Sequence, residues 1–124
     1  MVFKLKTSKE TMQIFSELGS CIHLQPFALC KLAIALSLRD ADKIVSFDSD
    51  SDGLELNRQT ITGEYDELFK ALIIMHSGKK LTDEEYFPKY LKAHIDRGAR
   101  KLRAEYKYNN SNFYQHLAEI EKGL

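Results

Sequence analysis

Three aspartates alternate with serines in one polar segment of the chain: Asp48, Asp50 and Asp52, followed directly by Gly53. Alternating carboxylates before a glycine are typical of the first half of an EF-hand loop, where they surround a Ca²⁺ ion. The second half does not match, because Gln59 occupies the position that requires a bidentate glutamate. We therefore interpret the segment as an acidic, solvated loop, with calcium binding as the alternative.

A second set of possible metal ligands consists of Cys21, His23 and Cys30. Structural zinc sites use four cysteine or histidine ligands, commonly in close pairs such as C-x-x-C. This chain has only three candidate ligands and no such pair. We therefore interpret both cysteines as buried apolar residues of a cytosolic protein. We expect no bound metal and no other cofactor.

The sequence lacks the common motifs of catalysis and phosphate binding, including GxxxxGK, GxGxxG, GxSxG and HExxH. Its four histidines are scattered along the chain: His23, His76, His94 and His116. The acidic pair Asp83 and Glu84 lies at a predicted helix start, where the helix dipole favours carboxylates without any catalytic role. We expect no catalytic residues and no enzymatic activity.

Charge is balanced in total, with 18 bases and 18 acids, but it is unevenly distributed. Residues 48–67 contain seven acids and one base, whereas residues 89–107 contain seven bases and two acids. Because counterion release depends on the local surface that faces phosphates, zero net charge does not exclude a nucleic-acid partner. We interpret the basic side chains of one predicted helix as a solvated face: Lys92, Arg100, Lys101 and Arg103.

Residues 2–6 alternate between apolar and basic types, which predicts a short, half-buried strand. Phe3 and Leu5 share its inner face, and Lys4 and Lys6 its outer face. A strand at a chain end needs a hydrogen-bonding partner. We expect it to pair with the same strand of a second copy.

Two predicted helices follow this strand. Thr7 or Ser8 caps the first, and Pro26 opens the second, which is apolar on nearly every side and ends near Arg39. Since a small chain offers few elements to cover such a helix, we expect a second copy to cover part of it, in a symmetric homo-oligomer. A strand followed by two helices is the order of a ribbon-helix-helix module, whose paired strands contact DNA.

Further helices are predicted in the C-terminal two thirds. One ends at Gly78 and carries apolar residues at helical spacing, which predict a core-facing stripe: Tyr65, Leu68, Phe69, Leu72, Ile73 and His76. Thr82 and Glu85 form a capping box for the next, and Pro88 and Gly98 are expected to kink or end it. Its predicted buried stripe comprises Phe87, Tyr90, Leu91, His94, Ile95 and Leu102. A last amphipathic helix contains Phe113, Leu117 and Ile120.

These patterns together predict a mainly α fold: a ribbon-helix-helix-like N-terminal module, made of a short strand plus two helices, with additional C-terminal helices. With 124 residues, the chain is expected to form a single domain over residues 1–124. We find neither a secretion signal nor an apolar stretch long enough to span a membrane. A cytoplasmic location is therefore expected.

Three stretches, residues 29–38, 55–69 and 92–98, resemble the DndE family in their order and spacing. This family is the small subunit of bacterial DNA phosphorothioate modification systems. The resemblance extends from about Thr7 to Leu102. Its most specific part is Asn57-Arg58 followed by Gly63-Glu64-Tyr65-Asp66.

The resemblance implies a helical protein with a ribbon-helix-helix-like element that assembles into a homotetramer. It implies binding to DNA, including nicked duplex, and non-catalytic support of a complex in which other subunits supply sulfur and hydrolyse ATP. Two features depart from the family pattern: the loop at residues 40–53 is longer and more acidic than expected, and Gln25 replaces a small capping residue.

The DNA-binding residues are assigned from the predicted geometry and the charge pattern, not carried over from the family: Lys4, Lys6, Lys9 and Lys31. One alternative is a protein-interaction adaptor that docks on partner modification subunits through the acidic segment 48–67, with little direct DNA contact. Another is a metal-dependent nicking enzyme that uses Asp48, Asp50 and Asp52.

Overall fold

The structure, a computed structural model, describes residues 3–44 and 47–108. Its elements, in chain order, are β1 (Lys4–Lys6), α1 (Lys9–Ile22), α2 (Pro26–Arg39), β2 (Glu55–Asn57), α3 (Arg58–Ile61), α4 (Asp66–Ser77) and α5 (Leu91–Tyr108). The mainly helical fold and the N-terminal order of one strand and two helices are confirmed. The predicted helix with Phe113, Leu117 and Ile120 lies outside the described residues.

Strand β1 finds its partner within the same chain. It pairs antiparallel with β2, and Leu5 lies opposite Leu56. The premise that β1 has no partner in its own chain is therefore wrong, because the loop after α2 returns β2 to this position; pairing of its other edge with a second copy stays a prediction. Phe3 was predicted to face inwards with Leu5, but it is 62% exposed, since the two-stranded sheet ends beside it.

Helix α1 begins as its sequence predicts. The Ser8 side chain accepts a hydrogen bond from the Thr11 backbone N–H and so caps the first turn. Its inward residues are fully buried: Ile14, Phe15, Leu18 and Ile22. The helix ends at His23, which adopts a left-handed conformation with φ of 57°.

Helix α2 begins at Pro26, as predicted, and is covered mainly by α5 of the same chain. The expectation that a second copy covers part of α2 stays a prediction. Gly98 explains how α5 comes so close: a Cβ at this position would lie 1.7 Å from the Ala33 carbonyl oxygen of α2. The absent side chain allows the two helix backbones to touch. The apolar residues between them are fully buried: Leu29, Cys30, Ala33 and Ile34.

Helix α4 differs from the predicted core-facing stripe. Ile73 is fully buried, and Phe69 and His76 are partly buried, but the other three predicted residues are exposed: Tyr65, Leu68 and Leu72. The apolar residues of α4 occupy two sides of the helix. One side packs on the domain, and the described part of the chain leaves the other side uncovered.

The capping box that precedes α5 forms in both directions. The Glu85 carboxylate accepts a hydrogen bond from the Thr82 backbone N–H at 3.0 Å, and the Thr82 hydroxyl accepts one from the Glu85 N–H at 3.1 Å. A kink follows at Pro88, after a cis peptide bond, and α5 then continues through Gly98. The predicted kink at Pro88 and the predicted buried stripe of this segment are confirmed, but the helix does not end at Gly98.

No single helix in the described ranges is long and apolar enough to cross a membrane. Helices α1 and α2 meet the length and composition requirements only as a pair, and that pair is bent by 110°.

Candidate nucleic-acid interface

The basic cluster on α5 is neutralised by acids from other parts of the fold. Arg100 and Arg103 both bind the Glu10 carboxylate at 2.8 Å, and Lys101 lies 2.7 Å from Asp40. The hydrogen bond from Lys101 lowers the pKa of Asp40 to about 2. The prediction of a freely solvated basic face is therefore wrong, because the fold gives these charges partners.

Arg97, a buried base of α5 outside this cluster, is held by the end of α2. Its guanidinium donates to the Ser37 hydroxyl at 2.8 Å, to the Ser37 carbonyl at 2.6 Å and to the Asp42 carbonyl at 2.7 Å. Carbonyls in the last turn of a helix lack partners within the helix. Arg97 therefore caps α2 from the side, and its charge does not face solvent.

Lys4 and Lys6 extend from the outer face of β1, where both are exposed. The strand register sets Lys4 opposite Asn57 and Lys6 opposite Glu55. Residues directly opposite each other in an antiparallel pair share a face of the sheet. Within the described ranges neither lysine forms an ion pair shorter than 4 Å, so both charges are available to a ligand.

Lys9 lies beside them, at the first position of α1. Its backbone N–H donates to the Asp50 carboxylate at 2.8 Å, while its side chain is exposed. This hydrogen bond and a second from the Asp52 N–H keep the pKa of Asp50 below its usual value. The acidic loop is thus anchored next to the N-terminal lysines.

Lys31 occupies a different element, the exposed side of α2. Its Nζ atom lies 5.7 Å from the centre of the Phe27 ring, and Phe27 is 42% exposed. A cation over an aromatic face is a weak, solvent-accessible contact. The structure therefore brings Lys4, Lys6 and Lys9 to one end of the fold and adds Lys31 as a separate exposed cation.

A further group of lysines escaped the sequence prediction. Lys79 and Lys89 line a shallow groove of about 180 Å³ whose other walls include Phe47 and Tyr90. The Lys79 Nζ atom lies 5.8 Å from the centre of the Tyr90 ring. Their charges were visible in the sequence, but the turn around Pro88 brings them together. No periodic pattern in the sequence could have indicated that these two lysines line the same groove.

The proposed metal ligands do not converge. Cys21 is exposed, whereas Cys30 is fully buried, and burial raises the pKa of its thiol to about 12. Asp50 binds backbone amides, and Asp48 and Asp52 are exposed. Among the residues that the structure describes, no three His, Cys, Asp or Glu side chains could together hold a metal ion.

The segment containing Asn57-Arg58 and Asp66 builds a polar cluster inside the fold. Arg58 forms hydrogen bonds of 2.7–3.1 Å to the carboxylates of Asp66 and Asp83. Burial opposes ionisation of Asp66, but hydrogen bonds from Arg58 and Thr62 keep its pKa below the usual value. The guanidinium also stacks near the rings of Tyr86 and Phe87. These residues therefore fix α3, α4 and the turn before α5.

The segment 92–98 has a similar structural role. The Asp96 carboxylate, which is fully buried, accepts hydrogen bonds from the Ser8 N–H and from the hydroxyls of Thr11 and Ser49. Lys92 lies 2.7 Å from the same carboxylate. The first turn of α1, the acidic loop and α5 are thereby joined at one charged group. The most specific sequence features of the chain thus secure the scaffold that presents the exposed lysines.

The comparisons with known proteins agree with this fold. Residues 4–110 match the family model described as DNA sulphur modification protein DndE. A crystal structure of DndE from Escherichia coli B7A, described as involved in DNA phosphorothioation modification, matches with a TM-score of 0.69 and 20% sequence identity. That match covers 82% of this chain and 97% of the other and shows a shared fold. No curated protein matches the chain. Since the family model spans most of its length, the chain belongs to the DndE family of DNA sulphur modification proteins.

Proposed function

We propose that this protein is a non-catalytic, cytoplasmic DNA-binding subunit of a DNA phosphorothioate modification complex and acts as a homo-oligomer, with the tetramer that the family resemblance implies. Family membership supports the connection to DNA sulphur modification. The observation that carries DNA binding is a contrast between two sets of basic residues. Four bases of α5, Lys92, Arg100, Lys101 and Arg103, are held in ion pairs with acids of the fold, whereas Lys4 and Lys6 are exposed on the sheet without an ion-pair partner in the described ranges.

The proposed binding mode is contact with the phosphate backbone, independent of sequence. Lysine is a flexible point charge that suits phosphates but does not by itself identify a base. Lys9 and Lys31 extend the set of exposed cations to two helices. In a homo-oligomer the same lysines recur on every copy, and simultaneous contacts raise the affinity without any new type of contact. A nicked duplex offers the same backbone and is a second substrate to test.

The double variant Lys4→Ala and Lys6→Ala tests this proposal in a filter-binding titration with duplex DNA at several salt concentrations. Each lost phosphate contact should reduce the slope of log K against log salt by about 0.9. The matched control is Lys101→Ala, which removes a lysine that binds Asp40. We expect the double variant to bind more weakly with a flatter slope, and the control to bind like the wild type.

Circular dichroism and sedimentation separate loss of binding from loss of structure. Both should be unchanged in the double variant, because the two side chains are exposed. Wild-type affinity and an unchanged salt slope in this variant would exclude the N-terminal lysines as the DNA surface. Nicked and intact duplexes are compared in the same titration.

The adaptor function is a second candidate, favoured by the acidic segment. Several of its carboxylates remain exposed: Asp48, Asp52, Glu55, Glu64 and Glu67. Such a surface suits basic partner subunits. A pull-down of the other modification subunits without DNA, compared with a mobility shift of this protein alone, distinguishes the two functions. Partner capture without any DNA shift would favour the adaptor.

The non-catalytic part of the proposal has its own test. Incubation of supercoiled plasmid with the protein and Mg²⁺ or Mn²⁺ should leave the plasmid intact. Nicking that disappears in an Asp48→Asn and Asp52→Asn variant would instead support the metal-dependent enzyme.

A further inference from the structure

Helix α4 and the residue before it expose a continuous apolar stripe. Its four members are large and well exposed: Tyr65 at 55%, Leu68 at 55%, Leu72 at 39% and Met75 at 76%. Monomeric soluble proteins rarely expose contiguous apolar patches larger than a few hundred Å². A stripe of this kind, on the side of α4 that faces away from the domain, indicates an interface.

The spacing of the stripe is that of a helix-pairing seam. Successive members are three, four and three residues apart, the a/d repeat by which two helices pack along their length. The spacing is also the same in both directions. If a second α4 packs antiparallel, Tyr65 of each copy faces Met75 of the other, and Leu68 of each copy faces Leu72 of the other. The centre of this arrangement lies near residue 70.

Charge at the two ends of α4 favours the same arrangement. Exposed acids lie at its N-terminal end, Glu64 and Glu67, whereas exposed lysines follow its C-terminal end, Lys79 and Lys80. Antiparallel pairing brings each acidic end towards the basic end of the other copy. The opposed helix dipoles add to this attraction.

We infer that α4 is an isologous interface: two copies of this chain pair antiparallel through Tyr65, Leu68, Leu72 and Met75, with the two-fold axis beside Ala71. Ala71 is exposed next to the stripe, and its small side chain permits close approach. The inference rests on the homo-oligomer of the proposed function and names its interface. The lysines of β1 lie outside the stripe, so failure of this interface and failure of DNA binding are distinguishable.

Among the described residues, α5 leads away from this stripe. Helix α4 meets α5 where the rings of His76 and His94 lie 5.1 Å apart. From His94, α5 runs about 21 Å further, at 1.5 Å per residue, to Tyr108. There Tyr106 lies beside Cys21 of α1. The described chain thus ends well away from the α4 stripe.

Sedimentation of the full-length protein over a range of concentrations provides the first test. Four side chains per copy bury less than the roughly 1,600 Å² of a standard interface, so the association should depend on concentration. Leu68→Asp should weaken it at least tenfold. Phe3→Asp is the matched control, because Phe3 is equally exposed but lies outside the stripe. A wild-type monomer at every concentration, or a Leu68→Asp variant that associates like the wild type, would overturn the inference.

Crosslinking tests the antiparallel register. In a Cys21→Ser background, which removes the exposed native thiol, Ala71→Cys lies near the axis and should be joined between copies by a short bis-maleimide. Met75→Cys is the control, because the antiparallel register separates its two copies by about 15 Å along the helices. Crosslinking at position 71 and not at 75 supports the inference. Any other pattern contradicts it.

Discussion

The carboxylate of Asp96, in α5, accepts a 2.6 Å hydrogen bond from the hydroxyl of Thr11, in the first turn of α1. Both residues are fully buried. Asp96 also accepts a hydrogen bond from the backbone N–H of Ser8, the residue that caps α1. One buried charge thus fixes the start of α1, from which Lys9 extends and next to which β1 lies.

Replacing Asp96 with asparagine should destabilise the protein strongly. The change removes the charge that balances Lys92 and places an amide group among donors, at an expected cost of about 3 kcal/mol. Urea denaturation measures this cost. Asp48→Asn is the control, since Asp48 is exposed and should change stability little. Equal stabilities of the two variants would show that the buried cluster contributes little.

Arg58→Lys should also destabilise the fold, although it conserves the charge. Arginine binds Asp66 and Asp83 through several N–H groups in one plane, whereas lysine has a single ammonium group. We expect a loss of about 2–3 kcal/mol in the free energy of unfolding. Arg39→Lys, at the exposed end of α2, is the control and should have no measurable effect. An Arg58→Lys variant whose free energy of unfolding equals that of the wild type would contradict this role.

The buried imidazole of His94 should make stability depend on pH. The Ser37 hydroxyl accepts a hydrogen bond from Arg97 and lies 2.7 Å from His94 Nδ1. Burial, with His76 and Arg97 nearby, lowers the pKa of His94 from 6.5 to about 3. At a pH between these two pKa values, the unfolded chain binds one more proton at His94 than the folded chain does. The free energy of unfolding therefore decreases as the pH falls below 6.5.

The variant His94→Asn keeps an acceptor for Ser37 and removes the titration. Between pH 6.5 and 5 the free energy of unfolding should fall less steeply in this variant than in the wild type. The two slopes should differ by up to about 1.4 kcal/mol per pH unit. Chemical denaturation at a series of pH values measures the slopes. Parallel slopes for the two proteins would exclude His94 as the titrating group.

Removing the acid opposite Lys6 should strengthen DNA binding. Glu55 and Lys6 are directly opposite in the strand pair and both are exposed. Exposed charge pairs are weak, so Glu55→Gln should raise the affinity for duplex only about two- to fivefold at low salt, and less at high salt. Glu17→Gln, an exposed acid on α1, is the control. An effect of equal size in both variants would reflect net charge and not the pairing with Lys6.

Local sequence was sufficient to predict how several elements begin. The cap at Ser8, the start of α2 at Pro26 and the capping box of Thr82 and Glu85 all depend on contacts between residues at most four apart. Such contacts form whatever the rest of the chain does. The pairing of β1 with β2 is different, because it joins residues about fifty positions apart, and no pattern in either strand identifies the other.

In the candidate site, too, the sequence indicated which residues carry charge, but not which of these charges are paired in the fold. Lys4, Lys6, Lys9 and Lys31 were selected from the sequence, and the structure leaves all four side chains exposed. The basic cluster on α5 was visible as well, but its acidic partners Glu10 and Asp40 come from α1 and the end of α2. The groove lined by Lys79 and Lys89 likewise depends on the path of the chain between them.

By itself, then, the sequence of this protein determined its longer helices, several of their ends, the family resemblance and the positions at which apolar residues recur. Only the tertiary structure decided that α5 covers α2 and, among the residues that the structure describes, that the α4 stripe is exposed and which lysines have no acidic partner. The reason is physical: helical periodicity is set within a few residues, whereas burial and charge neutralisation depend on partners that only the folded chain brings together.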